Sequence, residues 1–520
     1  MKNFLPQLSM LIKVPSVVNL GLETVKVDVE INLANRGLPG FEIVGLPDKA
    51  VDESKERVRA AISSSGIDFP AKKITVNLAP ADIPKEGSLY DLPIAVGILS
   101  SVLGFSIPDK SLFLGELSFD GSLRHTRGAL LMALFAKEFK FENLFVPKDS
   151  ANEAGAIKGI KVFPVENLNQ LASYFLKRKN IEPVIYQKIL DEISTPAEFD
   201  MKEVLGQEQA KRAMEIAAAG GHNIIMVGSP GSGKTMLARA LPGILPPLNE
   251  TESLEVTKIF SAAGNIPPGG SLITNRQFRA PHHSASLAGL IGGGTKPQPG
   301  EVSLAHRGVL FLDEFNEFPH NVMEAMRQPL EDGYLTISRS KQRVVYPAGF
   351  MLVASANPCP CGYFNHPKKN CVCNERQIKK YQKRISGPIL DRIDLHIAIQ
   401  PVDTTEFSDN QKNSELLESS KIIKQRVVFA RQKQEKRFKN DSIQSNAQMK
   451  NTHIKNYCQL TKDVEDLLYR ASIKFQLSAR SYMKTIKVAR TIADLEGVEE
   501  ITVSHMAEAL QYKPKIYDTI

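Results

Sequence analysis

The chain has 520 residues, no tryptophan, few cysteines and no long hydrophobic run. The missing tryptophan excludes nothing by itself. No apolar stretch approaches the ~18 residues of a membrane span, so no membrane-spanning helix is expected. The first thirty-odd residues lack a hydrophobic segment followed by a small-residue cleavage site, so no secretory leader is expected and a cytoplasmic location follows. Only five cysteines are present, too few for a disulfide-stapled scaffold of this length. Four of them, Cys359, Cys361, Cys371 and Cys373, fall within fifteen residues, and Cys458 stands apart. In a cytosolic chain such clustering points to metal before disulfides. An excess of acidic residues is missing too: the net charge is +8 and the pI near 9.0. That permits a polyanionic partner, but spread over 520 residues it is weak evidence alone.

Against these absences, 42% of the residues are hydrophobic, enough for large cores, and the length suits about three or four domains. The sharpest signal is GSPGSGKT: Gly228, Ser229, Pro230, Gly231, Ser232, Gly233, Lys234 and Thr235. It fits the phosphate-loop pattern at every fixed position, between a short apolar strand (222–227) and a helical stretch (236–245). Backbone N–H groups of such a loop turn inward around phosphate oxygens. Lys234 would reach the β and γ phosphates of ATP, and Thr235 would place its hydroxyl on Mg²⁺. A second element, GVLFLDE (308–314), reads as a buried strand with acids at its end. Asp313 would hold Mg²⁺ and Glu314 would polarise the attacking water.

Residues 1–177 alternate strand and helix patterns, with an Asp-Gly hairpin at 120–121, and predict an α+β domain. The segments 83–95 and 115–124, with the helix after Gly128, resemble the Lon-protease-like domain of the S5 domain 2-like fold. That family hydrolyses peptides with a Ser–Lys dyad. Here Ser88 lies in GSLYD, a departure from the protease pattern, and no Lys occupies the base position after Gly128. Lys137 is the one conceivable substitute. A serine without a base is a weak nucleophile, so a non-proteolytic binding or assembly module is expected. Residues 178–200 read as a linker.

Residues 201–400 resemble an AAA+ ATPase core. The resemblance makes Gly206 and Gln207 contacts to the base. It makes Asn357, closing the strand 349–357, the sensor-1 residue, Arg392 a finger that completes a neighbour's site, and Arg480 the sensor-2 residue of a helical lid at 401–520. A salt bridge with Asp391 or Asp394 is the plainer role for Arg392. Lys484, Lys487 and Arg490 fit a solvated face, and 441–455 a loop. FRAPHHSAS (278–286), SLAHRGVLFLDE, SANPCPCGY and SGPILDRIDLH are similar to the magnesium-chelatase-like AAA+ family, and the N-terminal domain to its YifB/ComM branch. The resulting fold class is multidomain α/β: an S5 domain 2-like domain, a central P-loop α/β domain and a C-terminal helical lid. The resemblance implies a hexameric ATPase acting on DNA, with ComM-type members being branch-migrating helicases of natural transformation. A chelatase-type ATPase remodelling a protein partner is the alternative.

Two further segments bear on partners and metals. Residues 331–349 read as strand, turn, strand with Arg339, Lys341 and Arg343 in the turn, which would meet DNA phosphates without reading sequence; a plain solvated hairpin fits as well. The glycine-rich 287–301 suits a second mobile loop. His282 and His283 suit a pocket or an interface better than a metal, since two ligands do not fill a zinc site. Cys359, Cys361, Cys371 and Cys373 suit tetrahedral Zn²⁺, with His366 able to replace one of them and an Fe–S cluster or reduced surface thiols as the alternatives.

Overall fold

A computed structural model describes residues 10–35, 37–85, 87–186, 197–294, 297–338, 343–401 and 417–513. Packing divides the chain into two units. The first comprises Met1–Asp191, Glu250–Ile273 and Ser338–Val345; the second comprises Glu192–Asn249, Thr274–Ile337 and Tyr346–Ile520.

The alternating run ETVKVDVEINLA forms the strand Glu23–Ala34 in the first unit, with Val27, Val29, Ile31 and Leu33 all buried on one face. It pairs antiparallel with Met10–Leu20 and Lys73–Ala79; Gly40–Val44 adds on parallel to the latter. Helix Asp91–Leu103, nearly continuous in apolar residues, is buried through most of its length. Full burial of each Val, Ile or Leu contributes about 1.5–3 kcal/mol. A second, parallel sheet joins Ser111–Phe113, Asn143–Pro147 and Lys161–Val165. Phe113, Phe145 and Phe163 stack across it at 4.7 Å centroid spacing.

The same unit claims helix Glu250–Ala263, although its numbers fall inside the span 201–400. Its Ser261 hydroxyl donates to Glu153 at 2.6 Å, and the Leu130 N–H donates to the same carboxylate oxygen at 2.9 Å. Glu153 is buried, which pushes its carboxyl pKa up despite these donors.

The second unit is built on a five-stranded parallel sheet in the order Phe278–Arg279, Val309–Leu312, Met351–Ala356, Ile224–Gly228, Leu395–Ile399. The first strand in sequence of these five, Ile224–Gly228, is flanked by later ones. The chain therefore reverses direction of winding there, and the carboxyl ends of such strands are where ligands bind in open α/β sheets. Helices Glu208–Gly220, Ser420–Arg437, Ala479–Glu496 and Val503–Gln511 share one hydrophobic core with this sheet. Residues 441–455 are more ordered than a loop: they hold a 3-10 turn at Asn446–Gln448 and enter helix Asn451–Tyr457.

Lys484, Lys487 and Arg490 do not form a solvated face. Lys484 Nζ lies 3.2 Å from Asp394 Oδ1, Lys487 Nζ donates to the Ala447 carbonyl at 2.9 Å, and buried Arg490 pairs with Asp494. The fully buried His222 bridges Asp394 (3.2 Å) and the Thr491 hydroxyl (2.8 Å). Burial alone would raise the Asp394 carboxyl, but Lys484 and His222 hold it well below the usual carboxylate range. Buried charge is tolerated here because each group finds a partner.

Candidate active site

The sheet delivers the phosphate loop and the acidic strand to one place. Strand Ile224–Gly228 is wholly buried and ends in the loop, and helix Lys234–Ala240 follows. Gly231 and Gly233 have φ of +77° and +91°, a region that side chains with a Cβ rarely adopt. Lys234 is 8% exposed; its ammonium donates to the carbonyls of Gly228 (2.7 Å) and Ser229 (2.8 Å) and to Asn357 Oδ1 (3.4 Å). Burial pushes its pKa down to about 8, against the opposing pull of Asp313 and Glu314. The hydroxyls of Ser229 and Ser232 are buried and have no hydrogen-bond partner among the described residues. Buried polar groups are normally paired. Two unpaired hydroxyls beside a buried ammonium in a glycine loop fit a phosphate group.

Register explains the metal-facing residues. Leu312 pairs with Ala354 and Met226 with Ser355, so Asp313 lands beside Ser355 and near the phosphate loop. Asp313 Oδ2 accepts from the Thr235 hydroxyl at 3.0 Å; Oδ1 accepts from the Ser355 hydroxyl and, at 3.0 Å, from the Glu314 N–H. A hydroxyl and a carboxylate held together are hard oxygen donors of the kind Mg²⁺ takes. Glu314 itself sits at φ +51°, a strained position for a residue with a side chain. Its Oε2 lies 3.2 Å from His283 Nδ1, and His283 packs on His282 and edge-on to Phe318. Ser355 is a site residue that sequence reasoning missed, and for His283 it gave a pocket or an interface but not the partner Glu314.

Gly206 and Gln207 both have φ near +60°, and the Gln207 amide donates to the Gln400 carbonyl, just past the strand next to the phosphate-loop strand. Arg392 and Arg480 meet on one carboxylate. Arg392 donates to Glu331 and to the Pro388 carbonyl (2.6 Å), and Arg480 donates to the other Glu331 oxygen at 2.7 Å. The two guanidinium groups hold the Glu331 carboxyl below its usual pKa. Among the described residues neither arginine has a hydrogen bond to the phosphate loop.

The four clustered cysteines come together, with all four Sγ atoms within 4.8 Å of one another. His366 does not join them: its Nδ1 accepts the N–H groups of Lys368 and Lys369, both at 3.0 Å. Tyr334–Ser338 and Arg343–Pro347 form the expected two-stranded hairpin, with Arg343 exposed. Arg339 and Lys341 lie outside the described residues. In the glycine-rich segment, Gly292–Gly293 pairs with Gln298–Pro299. In the first unit, the Ser88 hydroxyl donates to Glu116, and Lys137 is exposed on helix Ala129–Glu138. The nearby buried Lys85 donates to the Pro80 carbonyl.

Comparison with known families gives three matches along the chain. Residues 29–150 match subunit ChlI of Mg-chelatase, residues 200–407 magnesium chelatase subunit ChlI, and residues 417–513 the C-terminal part of that subunit. The uncharacterized protein YifB of Salmonella typhimurium is 42% identical over 498 residues, 95% of each chain. The competence protein ComM of Haemophilus influenzae is 40% identical over 506 residues, 96% of this chain and 97% of its own. The magnesium-chelatase subunit ChlI of Cyanophora paradoxa is 23% identical over 343 residues, 59% of this chain and 86% of its own.

Proposed function

The chain belongs to the YifB/ComM branch of the magnesium-chelatase-like AAA+ proteins, and on that basis we propose that it hydrolyses ATP to remodel DNA. The observation that carries the ATPase reading is the convergence of Lys234, Thr235, Asp313, Ser355 and Glu314 on one end of the sheet. In this reading Gly228–Thr235 and the Ser229 and Ser232 hydroxyls bind the triphosphate, with Gly206 and Gln207 near the base. The Lys234 ammonium exchanges its carbonyl partners for phosphate oxygens, a charge-assisted contact stronger than the neutral one it leaves. Thr235 and Asp313 would hold Mg²⁺, whose positive charge would offset that of the phosphate oxygens. Glu314 accepts the proton of the attacking water, His283 fixes its carboxylate, and Asn357 helps place the water.

Arg392 serves a neighbouring subunit of a homo-hexameric ring, as the family resemblance implies, and Arg480, sharing Glu331 with it, acts as the lid's sensor. The residues of hairpin 334–347, with Arg339, Lys341 and Arg343, take DNA by its phosphates. The reading extends to a ComM-type helicase that promotes branch migration in the cytoplasm, with the N-terminal unit as a non-proteolytic assembly module. Zn²⁺ on the cysteine cluster completes its cofactors.

The test is ATP turnover and strand exchange by the pure protein on forked and four-way DNA. Turnover stimulated by branched DNA, with ATP-dependent branch movement, is expected. Turnover indifferent to DNA and no DNA binding at low salt would overturn the DNA step and favour a protein substrate. Mixing Arg392→Ala with Glu314→Gln protomers should restore some hydrolysis if the finger acts on a neighbour.

A further inference from the structure

We propose that the cysteine cluster is a four-thiolate Zn²⁺ knuckle that shapes the phosphate loop, so that nucleotide affinity depends on metal bound at a separate site. The inference rests on the Zn²⁺ reading given above and adds its coupling to the nucleotide.

Sulfur geometry comes first. Cys359 Sγ lies 3.4 Å from Cys361 Sγ and 3.7 Å from Cys371 Sγ, and Cys361 and Cys371 are 3.6 Å apart. A disulfide would bring two sulfurs to about 2.05 Å and leave the others out. Tetrahedral Zn²⁺ with Zn–S of about 2.3 Å sets every S···S edge near 3.8 Å. The three spacings among Cys359, Cys361 and Cys371 fit such edges, and Cys373 Sγ lies within 4.8 Å of the other three. The surroundings match as well: the Phe364 N–H donates to Cys359 Sγ at 3.3 Å, and the Gly362 N–H closes a tight turn on the Cys359 carbonyl at 2.9 Å. Between Pro358 and Cys373 the chain forms no helix or strand, so its shape needs another constraint.

The knuckle touches the nucleotide site at two points. Gly362 has φ +81°, and a Cβ built on it would lie 2.5 Å from Pro230 Cδ and 2.8 Å from Pro230 Cγ. The backbone of the knuckle is therefore pressed against the side of the phosphate loop. On the other side, Asn357 stands two residues before Cys359 and accepts from Lys234. Gln382, on helix Glu375–Gln382, donates to the Pro358 carbonyl at 3.1 Å and fixes the intervening residue. Metal ligation thus sets the position of two groups that contact the loop, Gly362 on Pro230 and Asn357 on Lys234.

The test uses the full-length protein, zinc analysis and titration with a fluorescent ATP analogue. One Zn²⁺ per chain is expected. Extracting it should weaken nucleotide binding about ten-fold or more, since an ångström-scale misplacement has effects of this order, and adding Zn²⁺ back should restore it. Cys371→Ser with Cys373→Ser should lose metal and affinity together. Gly362→Ala keeps all four ligands; it should retain the zinc and still bind nucleotide more weakly. Absence of bound zinc from the native protein would overturn the metal centre. A zinc-loaded Gly362→Ala protein with native nucleotide affinity would overturn the coupling and leave the metal centre standing. Should extraction unfold the chain, Gly362→Ala decides alone. A zinc-loaded native protein that binds no nucleotide would instead defeat the ATPase reading.

Discussion

Lys234 offers a quantitative handle on the nucleotide site. Its ammonium is buried on loop carbonyls, and desolvation brings its pKa from the ordinary 10.5 to about 8. Only the charged form can meet a phosphate. The sign follows: the lysine is protonated below about pH 8, so binding is at full strength there and is lost as pH rises through that value. At pH 9 about one lysine in eleven still carries its proton, which raises Kd about ten-fold, or ~1.4 kcal/mol, over neutral pH. Phosphate groups finish titrating near pH 6 to 7, so the window from about 7.5 to 9.5 reports the protein alone. The assay is a nucleotide titration at each pH, with log Kd bending upward near 8 toward a slope of one. Lys234→Arg provides the control, because a guanidinium stays charged throughout; its affinity should be weaker overall but flat with pH. A wild-type Kd that stays constant to pH 9.5 would refute the reasoning, as would an equal slope in the Arg variant.

Glu314→Gln should bind ATP with near-native affinity and lose about 10²-fold or more in turnover, measured by phosphate release; native turnover would remove it from the chemistry. His283→Ala takes away the 3.2 Å partner of that carboxylate and should lower kcat roughly ten-fold with little change in KM; a pure KM effect would make His283 a binding residue instead. His396 is buried in the sheet, and desolvation pushes its pKa down from 6.5 to about 4. Its contribution to stability is complete above about 6.5 and declines as pH falls toward 4. About 2 kcal/mol should be missing at pH 5, read by denaturant unfolding. His396→Gln should remove that dependence, and an undiminished acid loss in the variant would place its origin elsewhere.

The phosphate loop and the acidic strand were legible because their chemistry depends on local spacing: a glycine pattern, an apolar run, two acids. The partners of those residues were not. Ser355 reaches Asp313 only through parallel register between strands some forty positions apart. His283 stood out in APHHS, but nothing in the segment names Glu314 as its partner. Arg392 and Arg480 lie far apart in the chain, and their common carboxylate, Glu331, carries no signal in it. Lys484, Lys487 and Arg490 recur at helical spacing in the same way whether a face is wet or buried, and only Asp394 and Asp494 distinguish the cases. The cysteine spacing did suggest a shared ligand, since four thiols so close in sequence have few other ways to be arranged.

The excursion of Glu250–Ile273 into the first unit has a practical meaning for anyone dissecting this protein. The units are distinct in packing yet interleaved along the chain. A fragment starting near residue 197 would carry helix Glu250–Ala263, with its buried Val256 and Ile259, away from the environment that covers them. The complementary fragment ending near 186 would keep Glu153 but lose the Ser261 hydroxyl that donates to it, and a buried carboxyl short of a partner costs about 1–3 kcal/mol. Neither half is a natural module for expression. Separation needs that helix grafted back onto the N-terminal piece by a linker, with a short bridge joining Asn249 to Thr274 in the other, and Ser338–Val345 would still be divided from its unit.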